Sequence, residues 1–219
     1  SSISTITVDE ESNYFKAIDG ILFSKSGTKL IRYAPAKTDT FYSVPDDVIE
    51  IDDHAFEDSS HLESIDILNS DVKIGSYAFS GCTSLTSGKI GTIEWNLNKE
   101  TGEMTFTGKG DMLNFGNCAA PWYSSRKSLK KVTISDGITT IGKYAFSECS
   151  SLTSITIPDS VTEIGKYAFE KCSSLTSISI PNSVTTIGKD GFSSCSLLIQ
   201  GTFGFVEWSL NKETNELKF

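Results

Sequence analysis

Five cysteines, two histidines and one dense run of carboxylates are the residues of this 219-residue chain whose types could do chemistry. Thiols could pair as disulfides or hold zinc together with histidine. Their spacing speaks against each. Cys82, Cys149, Cys172 and Cys195 recur in one local pattern and no Cys-x-x-Cys pair occurs, while His54 and His61 lie in a segment without cysteine. A nucleophile, base and acid set would have to be built on one of those two histidines. His54 occupies the position held elsewhere by Tyr144 and Tyr167, and His61 that of Ser151 and Ser174, so each has a structural explanation. The carboxylates Asp46, Asp47, Glu50, Asp52, Asp53, Glu57 and Asp58 match no calcium loop and read as a solvated charged face. The Thr107 to Asp111 run, TGKGD, opens no helix and so lacks the context of a phosphate loop. The expectation is no catalytic residue, no metal and no cofactor.

The elements that place these residues are repeats. ITTIGKYAFSECSSLTSITIPDS (138–160), VTEIGKYAFEKCSSLTSISIPNS (161–183) and VTTIGKDGFSSCSLLI (184–199) repeat with a period of 23 residues. Phe146, Phe169 and Phe192 share one position, the cysteines another, and Leu152, Leu175 and Leu198 a third; Phe56 and Phe79 extend the aromatic position upstream. A unit this short cannot bury its apolar face alone, so neighbours must stack into a solenoid. Leu152, Ile155 and Ile157 alternate as an inward-facing short strand, with Ser154 and Thr156 outward. Pro158 and Pro181 close that strand, Val161 and Ile164 begin a second one, and Gly142, Gly165 and Gly188 follow where a bend would suit glycine. The Tyr-Ala-Phe segment reads as a short helical or 3₁₀ turn. Stacked equivalent cysteines hold their side chains parallel, which favours small buried hydrophobes over disulfides. Cys118, in FGNCAAPW, stands outside the column and is the one thiol whose exposure the sequence leaves open.

The pattern I-P-x-S-V-x-x-I-G-x-x-A-F-x-x-C-x-S-L resembles the BspA-like leucine-rich repeat family of surface and secreted proteins. Ile3 to Pro45, with its Asp-Gly-Ile-Leu-Phe core, is similar to the family's longer repeat carrying a small hairpin, and Gly91 to Ile138 to a module that alternates with standard repeats. The resemblance implies a leucine-rich-repeat solenoid: short parallel strands, short second strands, helical or 3₁₀ turns, and inserted β-hairpins. It departs at Ser59 for cysteine, Asp71 for valine and Gly191 for alanine, where packing is expected to be looser.

One continuous solenoid over 1–219 is expected: a long repeat with hairpin at 1–47, two repeats at 48–90, a hairpin module at 91–137, three repeats at 138–200, and the start of a second hairpin module at 201–219. Ile93 to Phe106 recurs as Val206 to Phe219, an offset of 113 residues. In the module, Ile93, Trp95 and Leu97 alternate against Met104 and Phe106 as a hairpin, and Trp122 is expected to replace the repeat Phe. Both ends cut a repeat, as expected of one window on a longer array.

With 28 acidic against 19 basic residues, the net charge of −9 argues against nucleic acid as partner. No apolar run is long enough to insert in a membrane, and Ser1 to Thr7 lack the features of a signal peptide. What remains is the outward strand face: Phe41 and Ser43; Glu63, Ser64 and Asp66; Thr86, Ser87 and Lys89; Lys130, Lys131 and Thr133; Thr153, Ser154 and Thr156; Thr176, Ser177 and Ser179. Solubility alone would explain these polar side chains; as a site they would form a grid for an extracellular protein or glycan, effective through many weak contacts. The resemblance implies a non-catalytic, cell-surface or secreted adhesion scaffold. A spacer or filament built by self-association of repeats, or a carbohydrate-binding module, are the alternatives, the last supported only by Phe41.

Overall fold

The computed structural model describes residues 2–211 and 216–218, with side chains as far as residue 207. It contains two compact units, one of residues 1–92 with 115–124 and one of residues 93–114 with 125–219.

In unit 1 the strands are β1 (Phe15–Ile18), β2 (Ile21–Ser24), β3 (Lys29–Arg32), β4 (Phe41–Val44), β5 (Glu50–Ile51), β6 (Ser64–Ile67), β7 (Lys73–Ile74) and β8 (Ser87–Ile90). Asp19 and Gly20 both take positive φ, the backbone of a two-residue hairpin, and so join β1 to β2 with Ile18 opposite Ile21. β3 then runs antiparallel to β2 and parallel to β5, which converts the hairpin into the first rung of the parallel pile β3-β5-β7. The longer strands β4, β6 and β8 form the second pile, Phe41 opposite Ser64 and Ser64 opposite Ser87.

Unit 2 comprises β9 (Ile93–Asn98), β10 (Glu103–Gly108), β11 (Gly110–Asp111), β12 (Lys131–Ile134), β13 (Ile138–Ile141), β14 (Ser154–Thr156), β15 (Glu163–Ile164), β16 (Ser177–Ile180), β17 (Thr186–Ile187), β18 (Gln200–Phe203), β19 (Val206–Asn211) and β20 (Glu216–Lys218). The expected hairpin is β9-β10, and its second strand is itself a rung, pairing in parallel with β12. The short strands stack in the order β11-β13-β15-β17. A second hairpin, β18-β19-β20, follows; residues 212–215 and 219 of that expected module lie outside the described residues.

Rings and aliphatic side chains fill the space between the two piles. Phe56 stacks on Phe79 at 4.9 Å in unit 1, and Phe146 on Phe169 on Phe192 at 5.4 and 5.1 Å in unit 2. Phe56, Phe79, Phe146 and Phe169 have no exposure.

The Tyr-Ala-Phe segments are turns, not helices; the one 3₁₀ helix among the described residues is Tyr123–Ser125. Alternation of the donors is the cause. Ala145, Ser147 and Cys149 donate back three residues, whereas Tyr144, Phe146 and Glu148 donate to Lys166, Ala168 and Glu170 of the next turn. Neither set is free for an i to i−4 ladder. The outward-donating backbone takes left-handed φ at two positions per turn: His54 and Asp58, Tyr77 and Gly81, Tyr144 and Glu148, Tyr167 and Lys171, Asp190 and Ser194. Such a conformation costs a non-glycine residue about 1–2 kcal/mol, which the stacking offsets.

The repeat glycines have a different reason from the bend that the sequence suggests. None of Gly75, Gly142, Gly165 and Gly188 has positive φ, but a Cβ on each would lie 1.9–2.6 Å from the backbone of the preceding turn. They are absences of a side chain that let successive turns approach.

Candidate functional site

The thiols form a column that joins successive turns. Cys82, Cys172 and Cys195 donate their S–H to the carbonyls of Phe56, Phe146 and Phe169, at 3.0, 3.2 and 3.1 Å, so the column is a structural stitch between turns. All five cysteines are free, and burial pushes the Cys82 and Cys149 thiols up to about 12, which keeps them protonated. Cys118, whose exposure the sequence left open, is buried, and half-buried Cys195 is the most exposed of the set. The reason is register. Tyr77 N donates to Asn117 O, and Cys118 shares the left-handed φ of Tyr77, so the apparent loop is a repeat turn. That register sets Ala120, and not Trp122, opposite Phe79; Trp122 is buried two residues later, edge-on to Phe115 at 5.2 Å.

His54 stacks on Tyr77 at 5.5 Å and 7°, as Tyr144 does on Tyr167, and its Nδ1 lies 3.1 Å from Glu57. His61 is exposed. The carboxylate run is dispersed: Glu50 and Asp52 hold Lys29 at 2.9 and 3.0 Å, Asp53 accepts from Ser76 N, and Glu57 pairs with Arg32. Among the described residues no three His, Cys, Asp or Glu side chains are grouped so as to hold a metal ion, and no helix is long and apolar enough to cross a membrane.

The strand face is the remaining candidate, and period-two alternation places it. On unit 1 its rungs are Phe41, Ser64, Ser87 and Ser43, Asp66, Lys89, paired residue for residue. Phe41 is 53% exposed. On unit 2, Thr105 lies opposite Thr133 and Thr133 opposite Thr156, while Ser179 lies opposite Thr202 with hydroxyls 2.8 Å apart. Glu103, Lys131 and Ser154 form the parallel file, with Lys131 Nζ 3.3 Å from Glu103. Lys130, Thr153, Thr176 and Ser177 are exposed, and none of the face residues named from the sequence is buried.

Two properties of the face were not read from the sequence. The hairpin belongs to it, adding exposed Glu94, Asn96, Asn98, Glu103, Thr105 and Thr107; the signal was present in the alternation of β9 and β10 but not in their pairing with β12. Some hydroxyls are already spent: Thr86 and Thr153 donate to Glu63 O and Lys130 O of the preceding turn, at 3.4 and 3.0 Å.

Charge divides unevenly. Unit 1 holds 15 acidic and 7 basic residues, a net −8, and unit 2 holds 13 and 12, a net −1.

Among solved structures, the chain is similar to a leucine-rich repeat protein from Eubacterium ventriosum, with 23% identity and a TM-score of 0.51 over 98% of this chain and 57% of that one. It also matches a leucine rich cell surface protein from Faecalibacterium prausnitzii, with 25% identity and a TM-score of 0.46 over 99% and 54%. The chain thus spans a little over half of each. No curated protein matches it. The model of the BspA type leucine rich repeat region matches residues 37–109 and 120–207 in six copies. Those copies cover the glycine, aromatic and cysteine columns described above, and the chain belongs to the BspA type leucine-rich repeat family.

Proposed function

We propose that this chain is a non-catalytic binding scaffold at the cell surface or outside the cell, attaching to host proteins, matrix or other cells through its strand face. The observation that carries this is the registered file of outward side chains, Thr105, Thr133 and Thr156 with Ser179 and Thr202, on a backbone whose own hydrogen bonds are made between turns. A face of short side chains loses little conformational entropy when covered. Each hydrogen bond contributes about 0.5–1.5 kcal/mol net, so affinity accumulates over rungs. The two units offer different faces: unit 1 is acidic and presents Phe41, whereas unit 2 is close to neutral and rich in hydroxyls. Membership of a repeat-scaffold family supports the same reading.

The test is a binding screen of the purified chain against extracellular-matrix proteins and glycans. A Phe169→Ala form, destabilised by about 3–5 kcal/mol, serves as the unfolded comparison. Saturable binding that is lost on Thr133→Arg with Thr156→Arg, at unchanged melting temperature, supports the strand face. Binding that survives both changes would refute it.

A further inference from the structure

Unit 2 presents a second ordered surface, at the exit of its other sheet. Lys143, Lys166 and Lys189 each follow the column glycine, one per turn, where β13, β15 and β17 end. Turns of this kind stack about 4.8 Å apart, and the rings beside two of these lysines, Tyr144 and Tyr167, stack at 4.9 Å. Lys143 Nζ lies 5.2 Å from the Tyr144 ring centroid and Lys166 Nζ 4.6 Å from that of Tyr167. The rings hold the ammonium groups in place without neutralising them. Both tyrosines are fixed in turn by left-handed backbone, at φ 56 and 58°.

Among the described residues the column is without ion pairs, as Lys127 and Lys130 are, in a chain with surplus carboxylate. Elsewhere in unit 2, Lys131 pairs with Glu103, Arg126 with Glu148, and Lys171 with Glu148 and Glu170. Lys143, Lys166 and Lys189 form no ion pair among the described residues, although Glu163 and Asp190 stand on the same segments. Three cations in file, at one per turn, are thus left uncompensated.

We infer that this column binds a linear acidic polysaccharide laid along the stack, with one sulfate or carboxylate per turn. The regular pitch calls for a polymer with regularly spaced anions, and the tyrosine edges beside the ammonium groups offer apolar surface to sugar rings. Duplex nucleic acid fits less well, because it carries one negative charge per about 1.7 Å of axis and would set the excess against a unit of net −1. The column lies on a different sheet from the strand face, so each can fail without the other.

The experiment measures binding of the whole chain to heparin and to alginate, with neutral dextran, single-stranded DNA and duplex DNA in parallel. Three variants accompany it: K143Q/K166Q/K189Q, the corresponding triple Lys→Arg, and K16Q/K25Q/K73Q, which removes the same charge from unit 1. Expected is salt-sensitive binding to heparin or alginate that weakens at least about tenfold in the column Gln variant. The Arg variant and the unit 1 variant retain it, and all melting temperatures agree. Absence of glycan binding by the unaltered chain overturns the inference. So does equal loss in both Gln variants, which would mean diffuse charge, and so does DNA binding as tight as that to glycan.

Discussion

A Cβ at Gly165 would lie 2.6 Å from Lys143 N, inside the closest approach that backbone and side chain tolerate. The same holds at Gly188 against Lys166 N, at 2.4 Å. Gly165→Ala therefore forces two turns apart, and its cost is expected to be about 3 kcal/mol, at the upper end for overpacking. Urea denaturation checks it. A loss under about 0.5 kcal/mol, typical of surface substitutions, would mean that the turns separate freely.

Ser59 stands in the cysteine column, fully buried, with a hydroxyl that has no hydrogen-bond partner among the described residues. Ser59→Cys replaces an unsatisfied polar group by one that is content in an apolar place, and stabilisation of about 1 kcal/mol is expected. Thermal melts under reducing conditions read this out; no gain would show that the hydroxyl is satisfied in solution.

Ser194 is exposed and held at φ 59°, a position that Gly81 fills in unit 1. Ser194→Gly relieves left-handed strain of about 1–2 kcal/mol and returns about 0.4–1 kcal/mol to the unfolded chain's entropy. A small net gain is expected. The neighbouring Ser193→Gly has only the entropic loss, so the two variants should differ in sign of the shift in melting temperature.

Thiol alkylation of the native chain should label Cys195 first and leave Cys82, Cys118, Cys149 and Cys172 protected until the chain unfolds, following burial. Mass mapping after short exposure to iodoacetamide decides it. Early labelling at Cys118 would contradict the register that places it in a repeat turn.

Alkaline pH should destabilise the fold. Burial raises Cys82 and Cys149 from 9.0 to about 12, and burial also raises Tyr33 and Tyr42 above 10.0. Groups with raised folded values contribute stability that is complete below their unfolded values and declines as pH climbs through the folded ones. The urea midpoint should accordingly fall from about pH 9 upward, and less steeply in C82A/C149A. A flat midpoint to pH 11 would contradict the burial.

The period and the inward alternation were legible in the sequence because side-chain burial repeats with them: Phe146, Cys149 and Leu152 declare their columns by recurrence alone. Backbone reasons were not legible. Recurrence of Gly165 says that glycine is required but not whether for a φ or for a close approach, and the latter needs the distance to Lys143. The reading of Tyr-Ala-Phe as a helical or 3₁₀ turn missed that Phe146 N is claimed by a residue 22 positions later. The face was legible where outward positions followed a repeat, as at Ser154 and Ser177. It was missed at Thr105, because strand pairing across an irregular insert is not a local property.

Hydrogen bonds at the turns run forward, as from Phe146 to Ala168, while those of the strands run backward, as from Thr153 to Lys130 and Gly165 to Ile141. Each junction between these repeats is therefore written in both senses, and a cut within one of them strands donors on one side and acceptors on the other. Removing residues 161–183 whole would rejoin Ser160 to Val184 with each partner replaced by its counterpart. Gene duplication and loss of whole periods can thus lengthen or shorten the stretch 138–199 without breaking its junctions, which makes its reach a quantity that evolution changes in steps.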